Sequence, residues 1–102
     1  MIRRDFHVPK DKVAEFCRRH RIRTLALFGS AVREDFGPES DIDVLVEFEP
    51  GAEVGLIKLA GMELELAELL GTTRHVDLRT PEDLSRHFRD TVMRSAEIQY
   101  AA

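Results

Sequence analysis

Behind Val8-Pro9-Lys10, the apolar positions Val13, Phe16 and Cys17 recur at helical spacing, which predicts a helix with Pro9 at or near its first position. Arg18, Arg19, His20 and Arg21 fall near its carboxyl end, where cations complement the helix dipole. The period then changes. Residues 22–28 form a dense apolar run, too apolar for a solvated edge, and predict a central strand. Gly29-Ser30 follows, then a short helix over residues 31–35 and a loop rich in Gly, Pro and Ser over residues 36–40. Residues 41–48 alternate as a strand does. Ile42, Val44 and Val46 take one face; Asp41, Asp43, Leu45 and Glu47 take the other.

The second half repeats these two periods. Residues 55–70 predict the longest helix from their Leu, Ala, Met and Glu content, with Gly71 as carboxyl-terminal cap. Leu56, Leu59, Ala60, Ala67 and Leu70 give an expected core stripe, which Leu64 and Leu66 widen as if to meet more than a sheet. Residues 74–79 read as a third strand, with Val76 and Leu78 on one face and His75, Asp77 and Arg79 on the other. Thr80-Pro81-Glu82-Asp83 has the cap, proline and acidic residues of a helix start. Leu84, Phe88, Val92 and Ala96 extend that helix along one face to the carboxyl terminus. No repeat, linker or low-complexity segment divides the chain, so one domain over residues 1–102 is expected.

Composition narrows the classes. A chain 43% hydrophobic and 33% charged should fold, and no apolar run approaches the roughly 20 residues of a membrane span. The expected setting is the cytoplasm. A single cysteine, Cys17, excludes an internal disulfide and a thiolate metal cluster, and its place on an apolar stripe makes it a buried small hydrophobe. The net charge of −4 is unevenly spread: residues 1–24 carry eight Lys/Arg against three Asp/Glu, whereas residues 34–68 carry eleven Asp/Glu and one Lys. The basic amino-terminal part could supply a nucleic-acid face, attract an anionic ligand or acidic partner, or be an ordinary solvated helix face; the last is favoured, and direct nucleic-acid binding is not expected.

The candidate chemistry sits in LALFGSAVREDFGPESDIDVLV, residues 25–46. Asp41 and Asp43 share a strand face, and two like charges that close need a cation between them. A divalent ion with oxygen ligands fits, and Asp77 is the natural third carboxylate. Gly29 lets backbone approach a ligand, and Ser30 can cap a helix start whose amides face an anion. Arg33 either reaches a phosphate or pairs with a local carboxylate. Three carboxylates on adjacent strands can hold two divalent cations about 4 Å apart, and one of them can take the proton of an attacking hydroxyl.

Gly29-Ser30, ten intervening residues and Asp41-Ile42-Asp43, with Asp77 on a later strand, resemble the signature of nucleotidyltransferases related to DNA polymerase beta. The runs LFGSAVREDFGPESDIDVLVEFEPG and VDLRTPEDLSRHFRDTVMRSAEIQY resemble its minimal branch, the MNT family of HEPN/MNT toxin–antitoxin systems. Arg33-Glu34 stands where that branch often has Arg-Gly. The resemblance implies an α+β fold, a small mixed sheet flanked by helices. It implies ATP as substrate, Mg2+ as cofactor with two ions, and a HEPN toxin of the HepT type as partner. Asp41, Asp43 and Asp77 would bind metal and catalyse, while Gly29 and Ser30 would hold phosphates. The implied reaction moves AMP from ATP to a tyrosine of the toxin; an antitoxin acting by contact alone is the alternative. Tyr100 is then not the acceptor and is expected to pack or cap the tail.

Overall fold

The computed structural model describes residues 6–32, 37 and 40–102. Helix α1 (Lys10–Arg19) begins at Pro9, whose carbonyl accepts from the Val13 amide at 2.9 Å. It buries Val13, Phe16 and Cys17, the stripe expected from their spacing. Burial pushes the Cys17 thiol up to about 12, so it behaves as a packing group and not as a nucleophile. Strand β1 (Ile22–Phe28) follows, and a 3-10 turn (Gly29–Val32) closes it. Strand β2 (Ile42–Phe48), helix α2 (Leu56–Leu69) and strand β3 (Val76–Arg79) come next. Helix α3 (Arg86–Ser95) and strand β4 (Glu97–Ala101) complete the elements among the described residues.

The four strands form one mixed sheet in the order β3-β2-β1-β4, an α+β arrangement with β1 in the interior as expected. β1 pairs antiparallel with both β2 and β4. β2 and β3 run parallel, which requires a crossover, and α2 supplies it. The outer edge of β3 is not left open throughout: Glu63 of α2 accepts the Leu78 amide at 2.7 Å.

Alternation sorts the strand residues cleanly between two faces. Leu25, Leu27, Ile42, Val44, Val46, Val76 and Leu78 meet Phe16 of α1 and Met62 and Leu66 of α2 in one buried cluster. Phe28 and Leu45 point the other way and pack with Leu84 and Val92, the latter from α3. Arg19 of α1 and His20 just after it both reach Glu65 of α2, at 2.6 and 3.0 Å, and tie the two covering helices together.

Three expectations are corrected. The final helix does not run to the carboxyl terminus. It ends at Ser95, and Glu97–Ala101 becomes β4, because β1 still has an unpaired edge for it to satisfy. Tyr100 lies opposite Leu25 in that ladder and packs on the main cluster. The stripe on α2 holds only in part. Leu66 and Leu70 are buried and Leu59 and Ala67 pack on the core, joined by Met62, whereas Leu56, Ala60 and Leu64 are exposed, because apolar residues on several sides of the helix do not specify its roll. The helix start at residues 80–83 is a separate 3-10 turn (Pro81–Asp83), capped by the side chains of Thr80 and Asp83; α3 has its own cap, Ser85, whose Oγ accepts from the Phe88 amide.

Candidate active site

Parity in the strands builds the site. Asp43 shares the open face with Leu45, and Asp77 shares it with Arg79. The parallel register sets Asp43 directly opposite Asp77, while the antiparallel register sets Phe28 opposite Asp43. Two carboxylates are thus fixed on neighbouring strands by backbone ladders, not by mobile loops.

Gly29 follows Phe28 with φ of +66°, a left-handed conformation that L side chains rarely adopt. A Cβ there would strike the Asp43 carboxylate and stand 3.1 Å from its Cγ. Glycine is therefore required twice, for the turn and for the close approach of backbone to Asp43. The Ser30 hydroxyl donates to the Asp41 carbonyl at 3.3 Å, which joins this turn to the start of β2.

The approach to β2 is braced from below. Arg74 Nη1 donates to the carbonyls of Gly37 and Ser40 at 2.6 and 2.7 Å, and the Ile42 amide donates to the His75 carbonyl at 2.9 Å. Ser40 uses its Oγ to accept from the Gly37 amide at 3.0 Å. Asp41 lies just before the strand. Its Oδ2 is 3.6 Å from His75 Nδ1, and both side chains are more than half exposed. Glu47, further along the strand, is salt-bridged to Arg23 at 2.9 Å. Arg33 lies outside the described residues.

A cleft of about 410 Å³ opens on this face, lined by Gly29, Asp43, Asp77 and Arg79, and walled by Phe28, Leu84 and Phe88. It gathers three of the residues singled out from the sequence. Asp41 and Ser30 flank it and do not line it. A larger cavity of about 620 Å³ lies elsewhere, between α2 and residues 72–76, and holds no aspartate. Arg79 Nε donates to Asp77 Oδ2 at 3.1 Å. That hydrogen bond and the Asp77 charge raise the guanidinium further above its ordinary value, with Asp83 and Asp43 adding smaller contributions.

The donor set suits a hard divalent cation. It is made of carboxylate oxygens of Asp43 and Asp77 that line an open cleft. Among the described residues, no group of three or more His, Cys, Asp and Glu side chains stands where it could hold a metal ion. Magnesium does not require such a cage, since it binds through one or two carboxylates together with substrate phosphates. Arg79, Leu84 and Phe88 were not picked out from the sequence as site residues. For Arg79 the signal was there, because it shares parity with Asp77 on β3.

Residues 10–99 match the nucleotidyltransferase domain family. A proposed protein adenylyltransferase of Methanocaldococcus jannaschii is 32% identical over 87 residues, 85% of this chain and 89% of that protein. Protein adenylyltransferase MntA of Thermococcus cleftensis is 37% identical over 81 residues, 78% and 77% of the two chains. The solved structure of a proposed minimal nucleotidyltransferase superposes with a TM-score of 0.67 at 35% identity, over 85% of each chain. Two toxin–antitoxin structures share the fold. One contains AMP-PNP (TM-score 0.71, 21% identity, 93% of this chain and 75% of that one). The other holds a tri-AMPylated Shewanella oneidensis HEPN toxin with its MNT antitoxin (0.63, 20%, 91% and 70%).

Proposed function

The chain belongs to the nucleotidyltransferase domain family, and on that premise we propose that it is a magnesium-dependent protein adenylyltransferase. It acts as a cytoplasmic, single-domain antitoxin, moving AMP from ATP onto a tyrosine of a HepT-type HEPN toxin and so silencing the toxin. The observation that carries this reading is the Asp43–Asp77 pair, opposed across parallel strands, with the Asp43 carboxylate set against the bare backbone of Gly29. The adenylyltransferase names of the relatives and the AMPylated HEPN toxin of a structural neighbour support the nucleotide and the partner.

In this reading Gly29 and Ser30 present the turn to the β- and γ-phosphates, where a backbone without a Cβ allows close approach. Asp43 and Asp77, with Asp41 beside them, would hold magnesium, which when bound supplies neutralisation of phosphate charge. Asp77 takes the proton of the acceptor tyrosine. The tyrosine oxygen bonds to the α-phosphorus, the bond to pyrophosphate breaks, and pyrophosphate leaves with the electron pair. The ladders on both sides of β2 hold these groups in place, so positioning is inherited from the sheet.

Contact inhibition without catalysis is the second reading. It is favoured by the unburied apolar side chains of α2, where Leu56, Ile57 and Leu64 are 85%, 92% and 75% exposed. Incubation with the HEPN toxin, magnesium and ATP, followed by intact-mass measurement, separates the two. The proposal expects the toxin to gain whole AMP units with the native chain and none with Asp43→Asn. An unmodified toxin held in a tight, inactive complex would replace it with the contact reading.

A further inference from the structure

Arg79 occupies an unusual position for a cation in a site that must receive another one. It lines the cleft with Gly29, Asp43 and Asp77, on the same strand face as Asp77. Its guanidinium makes one contact to the carboxylate assigned the proton, through Nε to Asp77 Oδ2 at 3.1 Å. The Arg79 side chain is 49% exposed and that of Asp77 25%. Asp83 and Asp43 also act on its charge. Asp83 is committed elsewhere, since its Oδ2 accepts from both the amide and the hydroxyl of Thr80.

A single-contact, half-exposed ion pair is weak, because water screens it and both side chains lose freedom to form it. Guanidinium with phosphate is a stronger match. The planar fork offers paired donors to two phosphate oxygens, and the charge is permanent. Among the described residues Arg79 spends only Nε, so its remaining donors are available to an anion entering the cleft.

We propose that Arg79 is a positioning residue with two settings. In the empty cleft it holds Asp77 and offsets the mutual repulsion of Asp77 and Asp43. When nucleotide enters, it exchanges Asp77 for a phosphate oxygen. The exchange binds the phosphate chain and at the same moment frees Asp77 to accept the tyrosine proton. The site is thereby masked until its substrate arrives. This rests on the nucleotidyltransferase reading of the cleft, and it adds a phosphate-binding role to a residue outside the Gly-Ser and aspartate signature.

The two settings predict effects of opposite sign. Arg79→Ala should weaken equilibrium binding of ATP with magnesium about tenfold, as expected for loss of a charge-assisted pair. It should leave binding of adenosine, which has no phosphate, unchanged. The same variant should bind Mn2+ alone more tightly than the native chain, because a competing cation has been removed from Asp77. Arg79→Lys keeps the charge without the fork and should recover only part of the ATP affinity. In steady state the loss should appear in KM for ATP more than in kcat. Native-like ATP binding by Arg79→Ala, or Mn2+ binding that falls along with it, overturns the proposal. Asp43→Asn separates the levels. If it abolishes ATP binding while Arg79→Ala does not, only the role of Arg79 falls; if the native chain itself binds no ATP, the reading of the cleft falls with it.

Discussion

The two faces of the sheet are made by the same strands and have opposite fates. On one face Leu27, Val44 and Leu78 are sealed under α1 and α2. On the other, Phe28 and Leu45 are covered by Leu84 and Val92, and the rest of the surface carries Asp43, Asp77 and Arg79 around an open cleft. Neighbours one residue apart, such as Asp43 and Val44, belong to different regimes. The sealed face supplies stability by removing apolar area from water. The open face draws on that stability to hold two like charges at fixed register, an arrangement that would not persist on a flexible loop. Chemistry and stability should therefore respond to different substitutions, even between adjacent positions.

The largest expected effect falls on the open face. Asp77→Asn should lower the rate of AMP transfer by about 10²–10⁴-fold, the range for loss of a proton-accepting group. Asp43→Asn should fall at least as far, while both variants keep their melting temperature, read by circular dichroism. The sealed face should behave in reverse. Phe16→Ala, at a fully buried position in the main cluster, should cost about 3–5 kcal/mol by denaturant melts. Phe88→Ala, at a ring half exposed in the cleft wall, should cost less than about 1 kcal/mol.

Gly29→Ala tests the seam between the faces. Holding a non-glycine residue at positive φ costs about 1–3 kcal/mol, and the added methyl meets the Asp43 carboxylate. Transfer should be lost out of proportion to that modest change in stability. The smallest effect belongs to the helices behind the sheet. Arg19 hydrogen-bonds Glu65 and holds its carboxyl below the usual carboxylate range, with His20 adding to the shift. A depressed carboxyl stabilises the fold above its unfolded value, and the contribution disappears as pH falls through its folded value. Glu65→Gln should therefore lower the melting midpoint slightly at neutral pH. The difference from the native chain should close in acid below the usual carboxylate range.

Much of this was legible from alternation. Period two in β2 and β3 placed Ile42, Val44, Val46, Val76 and Leu78 together and put Asp43, Asp77 and Arg79 on the opposite side. Gly29 was legible as a backbone approach, although the group it approaches, Asp43, needed the strand register. What escaped the sequence depended on tertiary context. Glu97–Ala101 is short and becomes a strand by pairing with β1, an edge no local pattern announces. The roll of α2 is set by what its neighbours cover, since leucines on several sides leave it undetermined. Leu84 and Phe88 enter the cleft because the chain returns across the open face after β3, which is a matter of topology. Asp41 was placed with Asp43 by parity, yet it lies before the strand begins and meets His75.

The most direct test of the central claim compares adjacent residues on opposite faces. Asp43→Asn and Val44→Ala are each incubated with the HEPN toxin, magnesium and ATP below their melting temperatures, and the toxin's intact mass is recorded. The account predicts AMP additions with Val44→Ala, despite its lowered stability, and none with the stable Asp43→Asn. Toxin that gains AMP equally from Asp43→Asn would contradict it and move the chemistry off this face of the sheet.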